Sequence, residues 1–279
     1  MPELPEVETI KRALSKAVLS CTIKKIVVNN NRFRVPIPDD FSKIISGAKI
    51  KDVLRIAKYI IIKLDNGYSI IWHLGMSGKI KICESTPKFL EKHDHVVIET
   101  DKVTLIYNDA RRFGLVTYEK TSNLKKNPLL SKIGPEPFDE RITGKYLFGE
   151  LKNKKIPIKV ALLDQSIING VGNIYASEAL FKARISPLRE SASLSLKECS
   201  RLLESVKEIL MQAIDAGGST LRDYKKPDGS MGYFQNLHCV YNKTGQRCVE
   251  CTCDVKKTGG IKKVVQAGRS TFYCPVKQR

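Results

Sequence analysis

The chain has 279 residues, a length that predicts about two folded domains. Of these residues 42% are hydrophobic and 28% are charged, and this composition excludes a disordered or collagen-like protein. No apolar run approaches the ~18 residues of a membrane-spanning helix, so we expect no membrane partner. Lysine and arginine number 48 against 29 acidic residues, and the net charge of +19 indicates a polyanion, nucleic acid first, as the partner.

The N-terminus predicts one amphipathic helix within residues 1–19. Pro5 suits a first helical turn, and apolar residues recur at helical spacing: Val7, Ile10, Leu14 and Val18. The first residues lack the basic and apolar segments of a secretion signal. We therefore expect an intracellular, cytoplasmic protein.

Pro2 is a candidate nucleophile. If Met1 is removed, Pro2 carries a secondary amine with an ordinary pKa of about 7.7–8.0. Such an amine can attack a sugar C1′, displace its substituent and form an iminium. Glu3 and Glu6 lie beside it in sequence, where a carboxylate can donate a proton. A structural alternative stays open: the proline starts a helix and the acids, Glu6 above all, complement the helix dipole.

From about residue 22 the pattern changes to short strands rich in valine and isoleucine. Turn signals such as Asp65-Asn66-Gly67 separate them. The predicted strands are Ile23–Val28, Tyr59–Leu64, 68–74, Lys79–Cys83, 95–100 and 103–107. They predict a β-sandwich or barrel entered through one helix, within a domain of residues 1–133.

After Gly134-Pro135-Glu136-Pro137 the periodicity becomes helical as far as about residue 216. The longest helix begins at a capping-box pair, Ser195 and Glu198, and stops at Gly217-Gly218. The polar loop that follows, residues 219–234, is long enough to suggest a function. We predict an α-helical domain at 134–237 and an α+β fold overall.

Five of the eight cysteines fall between residues 239 and 274. In a reducing compartment such clustering indicates metal ligation rather than disulfides. The Cys248-x2-Cys251 spacing is that of a zinc knuckle. We predict a third segment, residues 238–279, built around it.

Longer motifs occur in order along the whole chain. They are Pro2-Glu3-Leu4-Pro5-Glu6-Val7-Glu8-Thr9, Arg55-Ile56-Ala57-Lys58-Tyr59, His73-Leu74-Gly75-Met76-Ser77-Gly78, His93-Asp94-His95, Asp109-Ala110-Arg111-Arg112-Phe113-Gly114, Asp164-Gln165-x4-Gly170-Val171-Gly172-Asn173-Ile174-Tyr175 and Gly268-Arg269-Ser270-Thr271-Phe272-Tyr273-Cys274. Together they resemble the motifs of bacterial formamidopyrimidine-DNA glycosylases.

The resemblance implies a catalytic β-sandwich, a helical domain with a helix–two-turn–helix element within residues 158–183, and a terminal zinc-finger-like β-hairpin. It implies a bifunctional DNA glycosylase and apurinic/apyrimidinic lyase of base-excision repair. Such an enzyme removes formamidopyrimidines and 8-oxoguanine and cleaves the strand by β,δ-elimination. Its partner would be damaged double-stranded DNA, and it would act as a monomer associated with the nucleoid.

The resemblance also implies roles for four residues in the reaction. Pro2 would be the Schiff-base nucleophile, Glu3 a general acid, and Lys58 the proton donor linked to β-elimination. Arg269, at the tip of the hairpin, would contact phosphate and assist δ-elimination. Read without the family, Lys58 is a solvated strand lysine, although its neighbours are apolar, and Arg269 is a turn arginine that contacts phosphate without specificity.

Extrusion of a nucleotide leaves a gap that long apolar or planar side chains can fill. The resemblance assigns this role to Met76, Arg111 and Phe113, although Met76 read alone suits a core position. Phosphate contacts are assigned to His93, Lys155 and Asn173, the last at a glycine turn before a helix. The other lysines near Lys155 are expected to form a solvated face: Lys152, Lys154 and Lys159.

The metal site departs from the family pattern. Cys248, Cys251 and Cys274 match three zinc ligands, but Lys277 occupies the fourth position and an ammonium group cannot bind zinc. Cys253, Cys239 or His238 are the alternatives for a fourth ligand of one zinc ion, and a hairpin held by packing alone is also open. Residues 256–263 resemble an insertion between the two halves of the finger.

Three rival functions stay open. The first is an endonuclease VIII-like enzyme that prefers oxidised pyrimidines. The second is a non-catalytic DNA-binding protein, which would not need Pro2, Glu3 and Lys58. The third is a zinc-ribbon RNA-binding protein, which the missing fourth ligand disfavours.

Overall fold

The computed structural model describes residues 2–220, 224–252 and 254–279. Internal contacts divide the chain into two compact units. The N-terminal unit comprises Met1–Ser131 together with Ile214–Gln235, and the C-terminal unit comprises Lys132–Ala213 together with Asn236–Arg279. The domain limits predicted at residues 133 and 237 stay predictions.

Among its described residues, the N-terminal unit includes the α-helices α1 (Leu4–Val18) and α2 (Phe41–Ile45). The strands in the part that the structure describes are β1 (Ile23–Val28), β2 (Ile50–Ile56), β3 (Tyr59–Leu64), β4 (Tyr68–His73), β5 (Lys79–Cys83), β6 (Asp94–Thr100), β7 (Thr104–Asn108) and β8 (Leu115–Lys120). They form two antiparallel sheets, in the orders β1-β6-β7-β5 and β2-β3-β4-β8.

Both sheets contribute to one hydrophobic core. Trp72 of β4 and Tyr107 of β7 meet edge to face at 5.3 Å, and neither is exposed to solvent. The apolar stripe of α1 packs on the same core through Val7, Ile10 and Leu14. The predicted β-sandwich entered through one helix is therefore confirmed.

The second half of the chain is mainly helical. Its helices are α3 (Gly144–Leu151), α4 (Ile158–Leu162), α5 (Asn173–Lys182), α6 (Leu196–Asp215) and α7 (Val255–Thr258), and its strands are β9 (Lys262–Gln266) and β10 (Arg269–Tyr273). The Glu198 carboxylate accepts the Ser195 backbone N–H at 2.9 Å, as the capping box predicted for α6. Within the described residues, no helix is both long and apolar enough to cross a membrane.

The β9–β10 hairpin forms because Ala267 and Gly268 both adopt positive φ, +46° and +72°, as a two-residue turn requires. Glu178, which is buried in α5, hydrogen-bonds the segment 239–241, which precedes the hairpin in the chain. Its carboxylate accepts backbone N–H groups from Cys239, Val240 and Tyr241 at 2.7, 3.0 and 2.7 Å. The α+β fold with a helical segment and a terminal hairpin is confirmed.

Candidate active site

The N-terminus of α1 is buried. Glu3 is the N-cap residue, and its backbone N–H donates to the Glu6 carboxylate at 2.8 Å. Glu3 and Glu6 are 4% and 2% exposed, and Pro2 is buried beside them. The Met1 removal on which the free Pro2 amine depends concerns a residue outside the described part of the chain.

The Glu6 carboxylate also holds a second segment. Its other oxygen accepts the Ser219 backbone N–H at 2.8 Å. Gly218 has a φ of +82°, and a Cβ there would lie 2.9 Å from the same Glu6 oxygen, so the approach requires glycine. One buried carboxylate thus joins the first turn of α1 to residues 218–219.

The loop predicted at 219–234 is closed at its base. The Gly232 N–H donates to the Thr220 hydroxyl at 2.8 Å, and the Phe234 N–H donates to the Gly218 carbonyl at 3.0 Å. Residues 221–223 of this loop lie outside the described residues.

Lys58 lies in the tight turn between β2 and β3 and is only 8% exposed. The preceding Ala57 adopts a φ of +52°. Arg55 connects this turn to α1, because its guanidinium bonds the Glu8 carboxylate at 2.9 Å and the Ala57 carbonyl at 3.0 Å. Lys58 is therefore not a solvated strand lysine.

His73 ends β4 opposite Tyr59, the residue that follows Lys58. Burial, and then the positive charge of Lys58, lower the pKa of His73 to about 4. The imidazole is neutral at pH 7, and its Nδ1 accepts the Gly75 N–H at 3.0 Å. The motif containing His73 was visible in the sequence, but only its pairing opposite Tyr59 reveals its place beside Lys58.

The three predicted gap-filling side chains lie on two adjoining loops. Met76 is 39% and Phe113 48% exposed, so Met76 is not a core residue. The Arg111 guanidinium lies 4.8 Å from the centre of the Phe113 ring. The loop backbones touch, because a Cβ on Gly75 (φ +61°) would lie 2.4 Å from the Gly114 nitrogen.

His93 precedes β6 and is half-buried. Its ring centre lies 6.1 Å from that of His95, and its carbonyl accepts the Asp109 N–H at 3.1 Å. The residue assigned to phosphate contact is thus connected to the loop that carries Arg111 and Phe113.

In the C-terminal unit, Lys155 is exposed and Asn173 opens α5. The solvated face expected for the nearby lysines is wrong for Lys159, which is 1% exposed. Its amine donates to Asn173 Oδ1 at 2.6 Å, to the Ser270 carbonyl at 2.9 Å and to the Thr271 hydroxyl at 2.8 Å. These partners are remote in sequence, which is why a local charge pattern could not identify them.

Asn173 and Lys159 together fasten the hairpin that carries Arg269. The Asn173 amide donates to the same Ser270 carbonyl at 2.9 Å. Arg269 is exposed at the first position of β10, directly after the turn and opposite Gln266.

The thiols of Cys248, Cys251 and Cys274 lie within 4.8 Å of one another. Among the described residues, this group includes neither Cys239 nor His238, and Cys253 lies outside the described residues. Burial and then the neighbouring thiols raise the pKa of Cys248 to about 12.

Lys277 does not face the cysteine cluster as a ligand. Its amine bonds the Glu250 carbonyl at 2.9 Å and lies 3.3 Å from the Glu250 carboxylate. The three thiols therefore fit a zinc ion, and the Lys277–Glu250 ion pair occupies the position where the resemblance implied a fourth ligand.

Two family models match the sequence. The formamidopyrimidine-DNA glycosylase N-terminal domain matches residues 1–116, and the formamidopyrimidine-DNA glycosylase H2TH domain matches residues 133–225. The formamidopyrimidine-DNA glycosylase of Rhodospirillum rubrum is 42% identical over 286 residues, and that of Jannaschia sp. 41% over 287 residues. Both alignments cover 100% of this chain and of the relative.

Solved structures of FPG proteins superpose on this chain over nearly its whole length. A variant of Lactococcus lactis FPG in complex with a Fapy-dG containing DNA superposes with a TM-score of 0.91 at 36% identity, over 100% of both chains. The MutM (FPG) protein of Thermus thermophilus superposes with a TM-score of 0.86 at 36% identity, over 99% of this chain and 98% of that one.

Proposed function

This chain belongs to the formamidopyrimidine-DNA glycosylase family and is a DNA glycosylase of base-excision repair, and we propose that Pro2, Glu3 and Lys58 perform its chemistry. The observation that carries the proposal is the burial of Lys58 in a turn tied to the first turns of α1 by Arg55. Lysine side chains are seldom buried, so an ammonium group held inside such a turn suggests a specific purpose. The buried Pro2 and Glu3 lie at the start of the same helix.

In the proposed reaction, the Pro2 amine forms a bond to C1′ of an extruded nucleotide. The bond between C1′ and the base breaks, the base keeps the electron pair, and Glu3 donates a proton to the departing base or to the sugar oxygen. The amine then loses its proton, and the C1′–O4′ bond breaks with its electron pair and a proton going to O4′, which leaves an iminium between Pro2 and C1′. The iminium acidifies the C2′ hydrogen: a base removes this proton, its electron pair forms the C2′–C3′ double bond, and the C3′–O bond breaks to expel the 3′ phosphate. Lys58 supplies the proton transfer linked to this elimination, and Arg269 assists the loss of the 5′ phosphate.

Recognition divides between phosphate contacts and gap filling. His93, Lys155 and Asn173 contact phosphates, while Met76, Arg111 and Phe113 enter the space that the extruded nucleotide leaves. The substrate is damaged double-stranded DNA, with formamidopyrimidine and 8-oxoguanine as the favoured lesions. The enzyme acts as a monomer, on the nucleoid in the cytoplasm.

Cys248, Cys251 and Cys274 hold one zinc ion in this proposal. The ion would fix the geometry of the hairpin that presents Arg269. A fourth ligand would have to come from outside these three thiols. Among the described residues the cluster includes neither Cys239 nor His238, so Cys253 is the remaining candidate from the sequence.

Incision of labelled duplexes tests the proposal. We expect cleavage without alkali of a duplex with 8-oxoguanine opposite cytosine, leaving phosphate at both ends of the gap. A Lys58→Gln variant should bind this duplex and incise it poorly, whereas Lys63→Gln, a partly exposed lysine of the same hairpin, should behave as the unmodified protein. Incision of an oxidised pyrimidine alone would favour the endonuclease VIII-like alternative, and binding with no incision of any lesion would favour a non-catalytic protein.

A further inference from the structure

One carboxylate, that of Asp109, lies where three DNA-contacting segments of the N-terminal unit meet. Asp109 directly follows β7 and is 0% exposed. The three segments are residues 74–78, which carry Met76, residues 109–114, which carry Arg111 and Phe113, and His93 itself, which precedes β6. The proposed chemistry gives Asp109 no role.

Donors from both loops converge on the Asp109 carboxylate. Oδ1 accepts the Ser77 hydroxyl at 2.5 Å and the Arg111 N–H at 3.3 Å. Oδ2 accepts the Gly114 N–H at 2.9 Å and the Tyr107 hydroxyl at 3.2 Å. A carboxylate suits this position because all four partners are donors and an ionised carboxyl group is an acceptor only.

The backbone of Asp109 completes the junction. Its N–H donates to the His93 carbonyl at 3.1 Å, and its carbonyl lies 2.9 Å from Nε2 of His95. Burial, and then the adjacent Asp109 charge, raise the pKa of Tyr107, so its hydroxyl stays a donor. The Gly114 backbone approaches the Tyr107 hydroxyl so closely that a Cβ on Gly114 would lie 1.7 Å from it, and the position therefore requires glycine.

We propose that Asp109 is a positioning residue that locks the two loops together, so that Met76, Arg111 and Phe113 enter the base stack as one rigid wedge. This inference rests on the proposed gap-filling role of those side chains. Their tips are exposed while the residues beside them, Ser77 and Gly114, are bonded to a single buried group. Separating two stacked bases costs free energy, so the inserted side chains must hold their positions against that resistance. Hydrogen bonds from both loops to the buried Asp109 carboxylate would keep them in place.

Asp94 supplies a matched control. It is also a buried aspartate of the N-terminal unit, 5% exposed, with several hydrogen bonds. Its carboxylate bonds Lys81 at 3.0 Å, Asn108 at 2.8 Å and the Glu91 N–H at 2.9 Å, all outside the two wedge loops. Asp94→Asn therefore tests the effect of losing a buried carboxylate as such.

The experiment compares two substrates for each variant. A duplex with 8-oxoguanine opposite cytosine requires unstacking, whereas a single-stranded oligonucleotide with one abasic site does not. We expect Asp109→Asn to lower kcat/KM about tenfold or more on the duplex and less than about threefold on the single strand. Asp94→Asn should alter both substrates equally. The melting temperature of each variant shows whether it folds.

A double-variant cycle identifies the route of the effect. In a Met76→Ala/Phe113→Ala background, Asp109→Asn should cause little further loss on the duplex, because the wedge it supports is already gone. Ser77→Ala, which removes one tether only, should give a smaller loss with the same substrate preference and serves if Asp109→Asn does not fold.

The outcomes separate the two claims. An equal loss on both substrates, or full additivity in the cycle, would overturn the role of Asp109 while leaving the wedge intact. A Met76→Ala/Phe113→Ala protein that processes the duplex normally would instead refute the gap-filling role itself.

Discussion

At the scale of single residues, Glu6 has a structural role that the sequence did not identify. The sequence left open whether it acts as a proton donor or complements the helix dipole. Its two oxygens accept backbone N–H groups from Glu3 and Ser219, so the carboxylate caps α1 and holds the returning segment at once. The capping alternative is the one that the geometry supports.

Glu6→Gln should destabilise the N-terminal unit. The amide offers one acceptor oxygen where two are used, and leaving a buried N–H without a partner costs about 1–3 kcal/mol. Urea unfolding should report a loss of that size. Glu204→Gln, at an exposed carboxylate with one weak ion pair, should leave stability unchanged. Equal stability of the two variants would contradict this account of Glu6.

Lys58→Met should raise the pKa of His73 above its value of about 4. Removing the ammonium charge removes one cause of the low value, while burial, the larger cause, keeps the pKa below the ordinary 6.5. An NMR titration of the His73 imidazole measures the change. Lys63→Met should leave the pKa of His73 unchanged. If Lys58→Met also leaves it unchanged, Lys58 does not lie close to His73.

At the scale of elements, regular stretches were predictable and irregular ones were not. The predicted limits of β1, β3 and β5 agree with the structure because their valine and isoleucine runs stand between clear turn signals. β2 was missed, since its register shifts between Ile50 and Asp52 and charged residues break the alternation. β8 was missed because it is an edge strand whose second half is only partly buried.

The same limit applies to the site. The motifs identified Pro2, Glu3, Lys58 and the cysteines as candidates, because those residue types suggest chemistry by themselves. Asp109 and Lys159 gained no role from the sequence. Their contacts come from segments far along the chain, and only the fold brings these together.

Lys277→Cys should increase the zinc affinity of the finger. The substitution offers a fourth thiol at the position where Lys277 now bonds Glu250, and four thiolates complete a tetrahedral site. Competition against a chromophoric chelator measures the affinity. Lys277→Ala, which removes the same ion pair without adding a thiol, should show no gain. A similar gain in both variants would mean that loss of the Lys277 ammonium group is the cause, and no gain in Lys277→Cys would mean that residue 277 does not reach the metal.

At the scale of the whole molecule, two histidines couple stability to pH. Burial is the main cause that lowers the pKa of both His73 and His238 to about 4. Below pH 6.5 these two imidazoles therefore bind protons in the unfolded chain but stay neutral in the folded chain. The free energy of unfolding should fall as the pH drops from 6.5 towards 4, by on the order of 1–3 kcal/mol per histidine.

Denaturant unfolding at pH 7 and at pH 5 measures this dependence in a range where carboxylates of ordinary pKa are still mostly ionised. A His238→Gln variant should lose less stability between the two pH values than the unmodified protein. Identical losses would show that His238 does not contribute.

The net charge of +19 suits a polyanionic partner, but charge alone serves a binding protein as well as an enzyme. The central claim is that the N-terminal amine of Pro2 is the nucleophile, and borohydride trapping tests it most directly. The protein is incubated with a labelled 8-oxoguanine duplex and reduced, and the adduct is mapped by peptide mass. We predict a covalent adduct on Pro2 that disappears in a form that retains Met1. An adduct that persists with Met1 in place, or maps to a lysine, would contradict the account.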